Sequence, residues 1–375
     1  MTVVGLQWVQ STDTYSCPAA DSIGSLTPAT RVAACNAIDP WMSRVRCNLW
    51  AKTGVQTATY GDRCYTDTDV ANMGQVMVKI KKFWYGTNHT GSAGSMTYRW
   101  YISSTGADSL PSGVGAWKVH PAFSRNSVTK SQIYLGAYEA SGTSPLQSTA
   151  GVAPTVTQTL PQFRTAAEAN GAGWEEVDFL AWSAVQLLYL LEYANFNSQS
   201  VTLGLGAGIT GDTAAHNTGE TGKTGTDRGN VSYGTASATT AVSYRGIENP
   251  WGNVATWLDG INTYGGEVYV ADHGFVSDTF TSPYTDAGIA IAGAGGYMSD
   301  LAVTSTTDYP FVASALAGSS STLIPDYIYA PAVGARVIRV GDCWSDGAAA
   351  GLWAMNDNVS TDSFSYIGGR LMYVG

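Results

Sequence analysis

The run from Val177 to Leu191 is apolar nearly all round the helix it would form, and such a helix must be covered on several sides by the rest of the chain. It contains Trp182 and Gln186 and is roughly 15 residues long, whereas a membrane crossing needs roughly 20. It therefore predicts a buried helix and no membrane insertion. The helix is expected to run from about Trp174 to Tyr193, with Glu175, Glu176 and Asp178 in its first turn, where acids favour the helix dipole. A shorter helix is expected over Pro161 to Asn170, with proline in the first turn, where its missing N–H costs nothing.

Strands must do much of the covering. Between Gln75 and Phe83, Val76, Val78 and Ile80 alternate with Met77, Lys79 and Lys81, the period of two of a half-buried strand. Tyr98 to Ile102 is a second strand, with a turn at Gly91-Ser-Ala-Gly94 before it. A third, Ile133 to Tyr138, ends at Glu139. Proline and glycine between Leu110 and Gly115 mark the approach to a boundary near residue 130. The chain of 375 residues thus divides into a β-rich region, 1–130, and a larger part, 131–375.

Composition narrows the class. Charged residues make up 13% of the chain, about half the usual share. With 43 Gly, 12 Trp and 21 Tyr, this fits an extracellular or virion-type protein with long ordered loops. The net charge of −10 repels phosphate backbones and argues against a nucleic-acid partner. No secretory signal is visible in Met1 to Gln10. Cys17, Cys35, Cys47, Cys64 and Cys343 form no C-x-x-C, leaving reduced structural thiols or one or two disulfides among the first four. From Ser200 to Thr240 the chain is rich in Gly, Thr, Ser and Ala and reads as a long loop, with Asp212 and His216 in solvent. Gly222-Lys-Thr224 lacks the glycine a phosphate loop requires, since Asn217 occupies that place. His89, His120, His216 and His273 lie in no hydrolase or metalloprotease motif.

Three ordered stretches carry a resemblance. Asn249-Pro-Trp-Gly-Asn-Val-Ala-Thr-Trp257 is similar to the G-N-V-W-E-W signature of formylglycine-generating-enzyme-like domains. Ala335-Arg-Val-Ile-Arg-Val-Gly-Asp-Cys-Trp344 resembles their R-V-x-R-G-G-S-W strand and turn, and Tyr366-Ile-Gly-Gly-Arg-Leu-Met-Tyr373 their closing strand. Tyr134 to Glu139 matches the opening strand with its glutamate. The resemblance covers roughly 131–375 and extends to the variable proteins of phage diversity-generating retroelements and to phage tail receptor-binding proteins. It implies an α+β chain: a C-type-lectin-like domain with two helices, long loops and insertions, and a small sheet holding both its ends, preceded by the small β-rich N-terminal region, which would attach to a tail.

On that reading 341–369 is a ligand-contacting surface. Arg336 to Val340 and Arg370 to Val374 are expected in one sheet, with Gly341, Gly347, Gly351, Gly368 and Gly369 supplying positive-φ turns, and Trp344 and Ile367 as anchors. The candidate contact residues are Asp342, Ser345, Asp346, Leu352, Trp353, Ala354, Asn356, Asn358, Asp362, Phe364 and Tyr366, which mix aromatic area with adaptable polar groups as paratopes do. Asn, Asp, Ser and Gly also dominate ordinary turns.

The oxidase of the resembled family holds copper on a cysteine pair, but here Cys343 stands alone, at a serine position. No enzyme activity and no catalytic residue are expected. The family's calcium loop is matched at Asn249, Gly252 and Val254, but its charged ligand is replaced by Thr256, so no metal or other cofactor is expected and hydrogen bonds should close the loop. The function expected is non-enzymatic host recognition by a phage or prophage tail-tip adhesin. It would sit on the virion tail, or otherwise a cell surface, and bind a bacterial surface protein or glycan. Its further partners would be other tail proteins and copies of itself in a homotrimer. The alternatives are a relic of the oxidase and a purely structural tail component.

Overall fold

The long apolar helix forms as Phe179–Tyr193, and all fifteen of its residues are buried. In this computed structural model, which describes residues 2–222, 229–293 and 295–375, it lies in the main hydrophobic core with residues from both halves of the chain. The helix starts later than the acid-rich run suggests. Asp178 is its N-cap, accepting a hydrogen bond from the Ala181 N–H at 2.7 Å. Trp174–Glu176 is instead a strand paired with Leu371–Tyr373, so Glu175 and Glu176 belong to a sheet edge and not to a helical first turn. The shorter helix runs over Leu160–Glu168 behind a capping box of Thr159 and Gln162.

Three large antiparallel or mixed sheets surround these helices. The first has five strands in the order Thr14–Ser16, Val3–Val9, Thr97–Ser103, Trp84–Thr90, Lys118–Val119. The second has six: Trp174–Glu176, Leu371–Tyr373, Gln132–Gly136, Gln75–Lys81, Arg46–Leu49, Gln56–Thr59. The third has eight and is built on Ala255–Tyr264, which pairs with Glu267–Val270, with Ala335–Val340 and, in parallel, with Ile367–Gly368. With four α-helices among the described residues, the fold is α+β and dominated by sheet. No helix among them is long and apolar enough to cross a membrane.

One expectation of organisation meets a different arrangement. Ala335–Val340 lies in the third sheet and Leu371–Tyr373 in the second, because the chain changes sheets between Gly368 and Leu371, where Arg370 is fully buried. The second sheet also crosses the boundary expected near residue 130. Gln132–Gly136 pairs with Gln75–Lys81 over five residues on one side and with Leu371–Tyr373 on the other. Further ties reach across: the Gln10 side-chain amide donates to the Ser299 carbonyl at 2.7 Å, and the Trp41 indole donates to the Leu188 carbonyl at 3.1 Å.

These ties give a direct expectation. Residues 131–375 expressed alone lose Gln75–Lys81, one of the two partners of Gln132–Gly136, and expose one side of the core, so the fragment should lack a cooperative thermal transition. A circular-dichroism melt of the fragment as sharp as that of the whole chain, and within a few degrees of it, would show that the parts fold independently.

Candidate functional site

The frame of the C-terminal segment is a buried polar cluster. Glu139 lies three residues past the strand Gln132–Gly136, which ends short of the expected Tyr138, and is fully enclosed. Its carboxylate accepts from the Asn249 side chain at 3.3 Å, the Asn253 side chain at 2.5 Å and the Val254 N–H at 3.2 Å. The loop at 249–254 is thus wrapped round a glutamate from a distant strand. Asn249 and Asn253 take left-handed backbone conformations, φ 45 and 59, which asparagine tolerates better than most residues. Burial pushes the Glu139 carboxyl up to about 7, against the pull of Arg370 and the two asparagine bonds. Thr256, at the position of the resembled family's calcium-binding glutamate, is buried and paired with Val340 in the third sheet.

Asn253 carries this frame outward. Its side chain accepts from the His216 N–H at 2.7 Å, and its carbonyl accepts from the Trp344 N–H at 3.1 Å. The Trp344 carbonyl in turn accepts from the Asp212 N–H at 2.8 Å, and the Thr210 carbonyl from the Gly347 N–H at 2.7 Å. The stretch around 210–220 expected to be a solvated loop is therefore stitched to the start of the segment. Its His216 ring stands between Asp212, at 2.9 Å from Nε2, and Glu220, at 3.0 Å from Nδ1. Burial opposes the charged imidazole, but the bonds it donates to Glu220 and Asp212 outweigh that and raise His216 above its ordinary range. Lys223 and Thr224 of the phosphate-loop-like motif lie outside the described residues.

The segment itself divides sharply. Leu352, Trp353 and Ala354 are all 0% exposed. The Trp353 N–H donates to Asp326 at 2.7 Å, and its ring meets the edges of Tyr189 at 5.7 Å and Phe196 at 5.0 Å. These three are core residues and not contact positions, since the segment passes under the long helix, whose Gln186 donates to the Leu352 carbonyl at 2.9 Å. Asp342 and Asn356 are also buried and bonded to each other, and Arg339 donates to Asp342 at 2.8 Å. Burial pushes the Asp342 carboxyl up to about 7 despite that guanidinium. The cause of their burial is a return strand, Met355–Asn358, paired antiparallel with Ala335–Val340.

What remains at the surface is narrower. Ser345 and Phe364 are exposed, and Asp346, Asn358, Asp362 and Tyr366 are half-buried. Phe364 and Tyr366 stack with ring centres 5.2 Å apart and 5° between planes. Arg339 lies 5.5 Å from the Tyr366 ring centre and donates to Asn358 at 3.1 Å, and Asn358 donates to Asp362 at 2.9 Å. The backbone beneath is pinned, since the Phe364 carbonyl accepts from the N–H groups of Thr157 at 3.1 Å and Ile367 at 3.2 Å. Ile367 is buried as expected of an anchor, while Trp344 is only half-buried. Gly341, Gly347 and Gly351 have positive φ, but Gly368 and Gly369 do not. Their reason is close approach: a Cβ on Gly369 would lie 2.6 Å from a Glu176 carboxylate oxygen.

Sequence reasoning missed Arg339 and the neighbouring stretch 276–279. Asn262 holds that stretch through bonds of 2.9 Å to the Val276 and Thr279 carbonyls, Ser360 donates to Asp278, and Val276 is exposed. Nothing local in the sequence links 278 to 360; their adjacency comes from the third sheet.

Cys343 is buried with its thiol pushed up to about 11, and all five cysteines are free, so the disulfide alternative among the first four is not realised. Among the described residues no group of three His, Cys, Asp or Glu side chains is arranged to hold a metal ion. No protein-family model matches the chain, and no curated protein matches it either.

Two measurements check the division and the stitch. Trp353→Ala should destabilise the fold by about 3–5 kcal/mol, as aromatic core truncations do, while Phe364→Ala should change stability by less than about 1 kcal/mol. Urea unfolding of the two variants decides, and equal effects would refute the assignment of Trp353 to the core. His216, with a raised pKa, should hold its two carboxylates fully below the unfolded histidine value of about 6.5 and release them as pH climbs through the folded value. An NMR titration should place that midpoint above 6.5 and show it falling in Glu220→Gln. A midpoint at or below the unfolded value would rule the charged clamp out.

Proposed function

We propose that the protein is a non-enzymatic ligand-binding protein, a tail-tip adhesin of a phage or prophage that recognises a bacterial surface protein or glycan. The observation that carries the reading is the stacked pair of exposed Phe364 and half-buried Tyr366 on a pinned backbone beside Arg339, Asn358 and Asp362. Rigid aromatic area flanked by adaptable polar groups is what binding loops use, because little side-chain freedom is lost on contact. The contact residues on this reading are Ser345, Asp346, Asn358, Asp362, Phe364 and Tyr366, joined by Arg339 and Val276.

A C-type-lectin-like scaffold over 131–375 is supported by the pairing of Gln132–Gly136 with Leu371–Tyr373, which holds both ends of that part together, and by the helices Leu160–Glu168 and Phe179–Tyr193. Retroelement diversification belongs to the same proposal, with variation confined to the exposed positions. So does display as a homotrimer on the virion tail, where repeated weak contacts gain from effective concentration. The hydrogen-bonded closure of 249–254 round Glu139 supports a reading without calcium or another cofactor.

The test is binding of the fluorescently labelled full chain to a panel of bacterial isolates, read by flow cytometry. Phe364→Ala with Tyr366→Ala should weaken binding to any positive isolate by about tenfold or more, the loss of about 1.4 kcal/mol or greater expected for central aromatic anchors. Undiminished binding by the double variant would sink the site.

A further inference from the structure

We propose that the cleft between the strand Trp84–Thr90, the loop 113–118 and the segment 303–308 is a second binding site, which takes one ring of a neutral saccharide. It has a volume of about 630 Å3, within the roughly 300–1,000 Å3 of small-molecule sites. None of its lining residues comes from 341–369, so it stands independently of the surface proposed above.

The walls are held in advance. Asp308, buried at the back, accepts from the Tyr85 hydroxyl at 2.9 Å, from the Thr87 hydroxyl, and from the Lys118 ammonium at 2.8 Å. Three side chains of the first sheet thereby fix the segment 303–308 against it. On the opposite wall, the Asn88 amide donates to the Ser112 carbonyl at 3.1 Å. Glycine is required at two places there: a Cβ on Gly86 would lie 2.7 Å from a Val114 methyl, and one on Gly113, at φ +79, would strike the Asn88 amide. A cleft fixed this way does not need to be ordered by its ligand, which lowers the cost of binding.

The chemistry left over selects the ligand. Lys118 uses one of its three donors on Asp308. Among the described residues the Asn88 side-chain oxygen and the Ser305 hydroxyl have no hydrogen-bond partner, and the Thr87 hydroxyl, having donated, can still accept. Donors and acceptors thus face one space, as vicinal hydroxyls require. Between them lie the apolar side chains Met96 and Val114 and the His89 ring, whose nitrogens are buried and which is backed by Tyr98 at 5.0 Å and Trp100 at 5.6 Å. Such surfaces suit the C–H face of a pyranose. Lys118 and Asp308 neutralise each other, and burial drives the His89 pKa down to about 4, so its ring is uncharged at neutral pH. The cleft therefore offers no net charge to an ionic ligand.

The experiment mixes the full chain separately with glucose, galactose, mannose and N-acetylglucosamine at millimolar concentration and reads saturation-transfer difference NMR. Ser305→Trp places bulk in the cleft from an exposed position. Gly115→Trp does so independently, since a Cβ there meets nothing within 4 Å. We expect transfer to at least one sugar, a fall of about tenfold in either tryptophan variant, which corresponds to about 1.4 kcal/mol, and no change in Phe364→Ala. Absence of transfer to all four sugars overturns the proposal, as does wild-type transfer in both tryptophan variants with unaltered melting. Loss in Phe364→Ala with retention in the tryptophan variants also overturns it, because the sugar would then sit on the other surface.

Discussion

The fully buried guanidinium of Arg370 is the contact on which the C-terminal half is assembled. It donates to the carbonyls of Gly136 at 2.9 Å, Glu248 at 2.7 Å and Asn249 at 3.1 Å, while its own N–H donates to Glu176 at 2.8 Å. Three segments far apart in sequence, at 136, 176 and 248–249, meet at this one residue, two residues after the chain leaves the third sheet and one before it enters the second. The same cation lies within the field of Glu139 and Glu248. Glu248 accepts from the Gly219 N–H at 2.6 Å and the Thr221 N–H at 2.9 Å, which holds the far end of the loop that carries His216. Removing the arginine would leave buried carboxylates without their cation, the situation that costs about 3–5 kcal/mol when one partner of a buried pair is lost.

That pattern recurs through a chain with few charges. Arg125 meets Asp178 at 2.5 Å, Arg164 meets Asp259 at 2.6 Å, and Arg31 meets Asp21 at 3.0 Å, each with both side chains largely or wholly buried. A buried ion pair adds little net stability over well-packed apolar groups, but separating its members is costly. In a chain rich in Gly, Ser and Thr, whose loops have weak conformational preferences, these pairs restrict which segments can meet. They account for long irregular stretches that are nonetheless bonded residue by residue into the core.

Elements whose pattern reflects their own burial were legible in the sequence. Gln75–Lys81 forms the strand its alternation predicts, though it is buried on nearly both faces, Thr97–Ser103 forms the strand expected over Tyr98 to Ile102, and the apolar run at 179–193 forms a buried helix. Elements that exist only through a distant partner were not. Met355–Asn358 reads Met-Asn-Asp-Asn and has no β-branched residue, yet it is a strand because Ala335–Val340 lies beside it; strand preference is largely a matter of neighbours. Trp174–Glu176 likewise becomes a strand by meeting Leu371–Tyr373, which no local count of acids could foretell. The candidate surface failed in part for the same reason. Trp353 and Phe364 look alike in a list of residues, and only the path of the chain under the long helix separates them.

Exposure therefore does more than shorten the set of contact positions. A surface that is to be altered without loss of the fold must consist of side chains whose replacement leaves the packing beneath unchanged. Trp353, Leu352 and Ala354 fail that condition, since each is enclosed in the core. Phe364 meets it: the residue is 39% exposed, and the bonds that fix its place belong to its backbone carbonyl. Asn358 and Asp362 meet it less fully, because each helps to orient Arg339 or the other. Tyr366 stands between, giving one face to Phe364 and its ring to Arg339. The segment is thus graded from fixed to replaceable along its length, and the replaceable end is where rigid backbone and exposed aromatic area coincide.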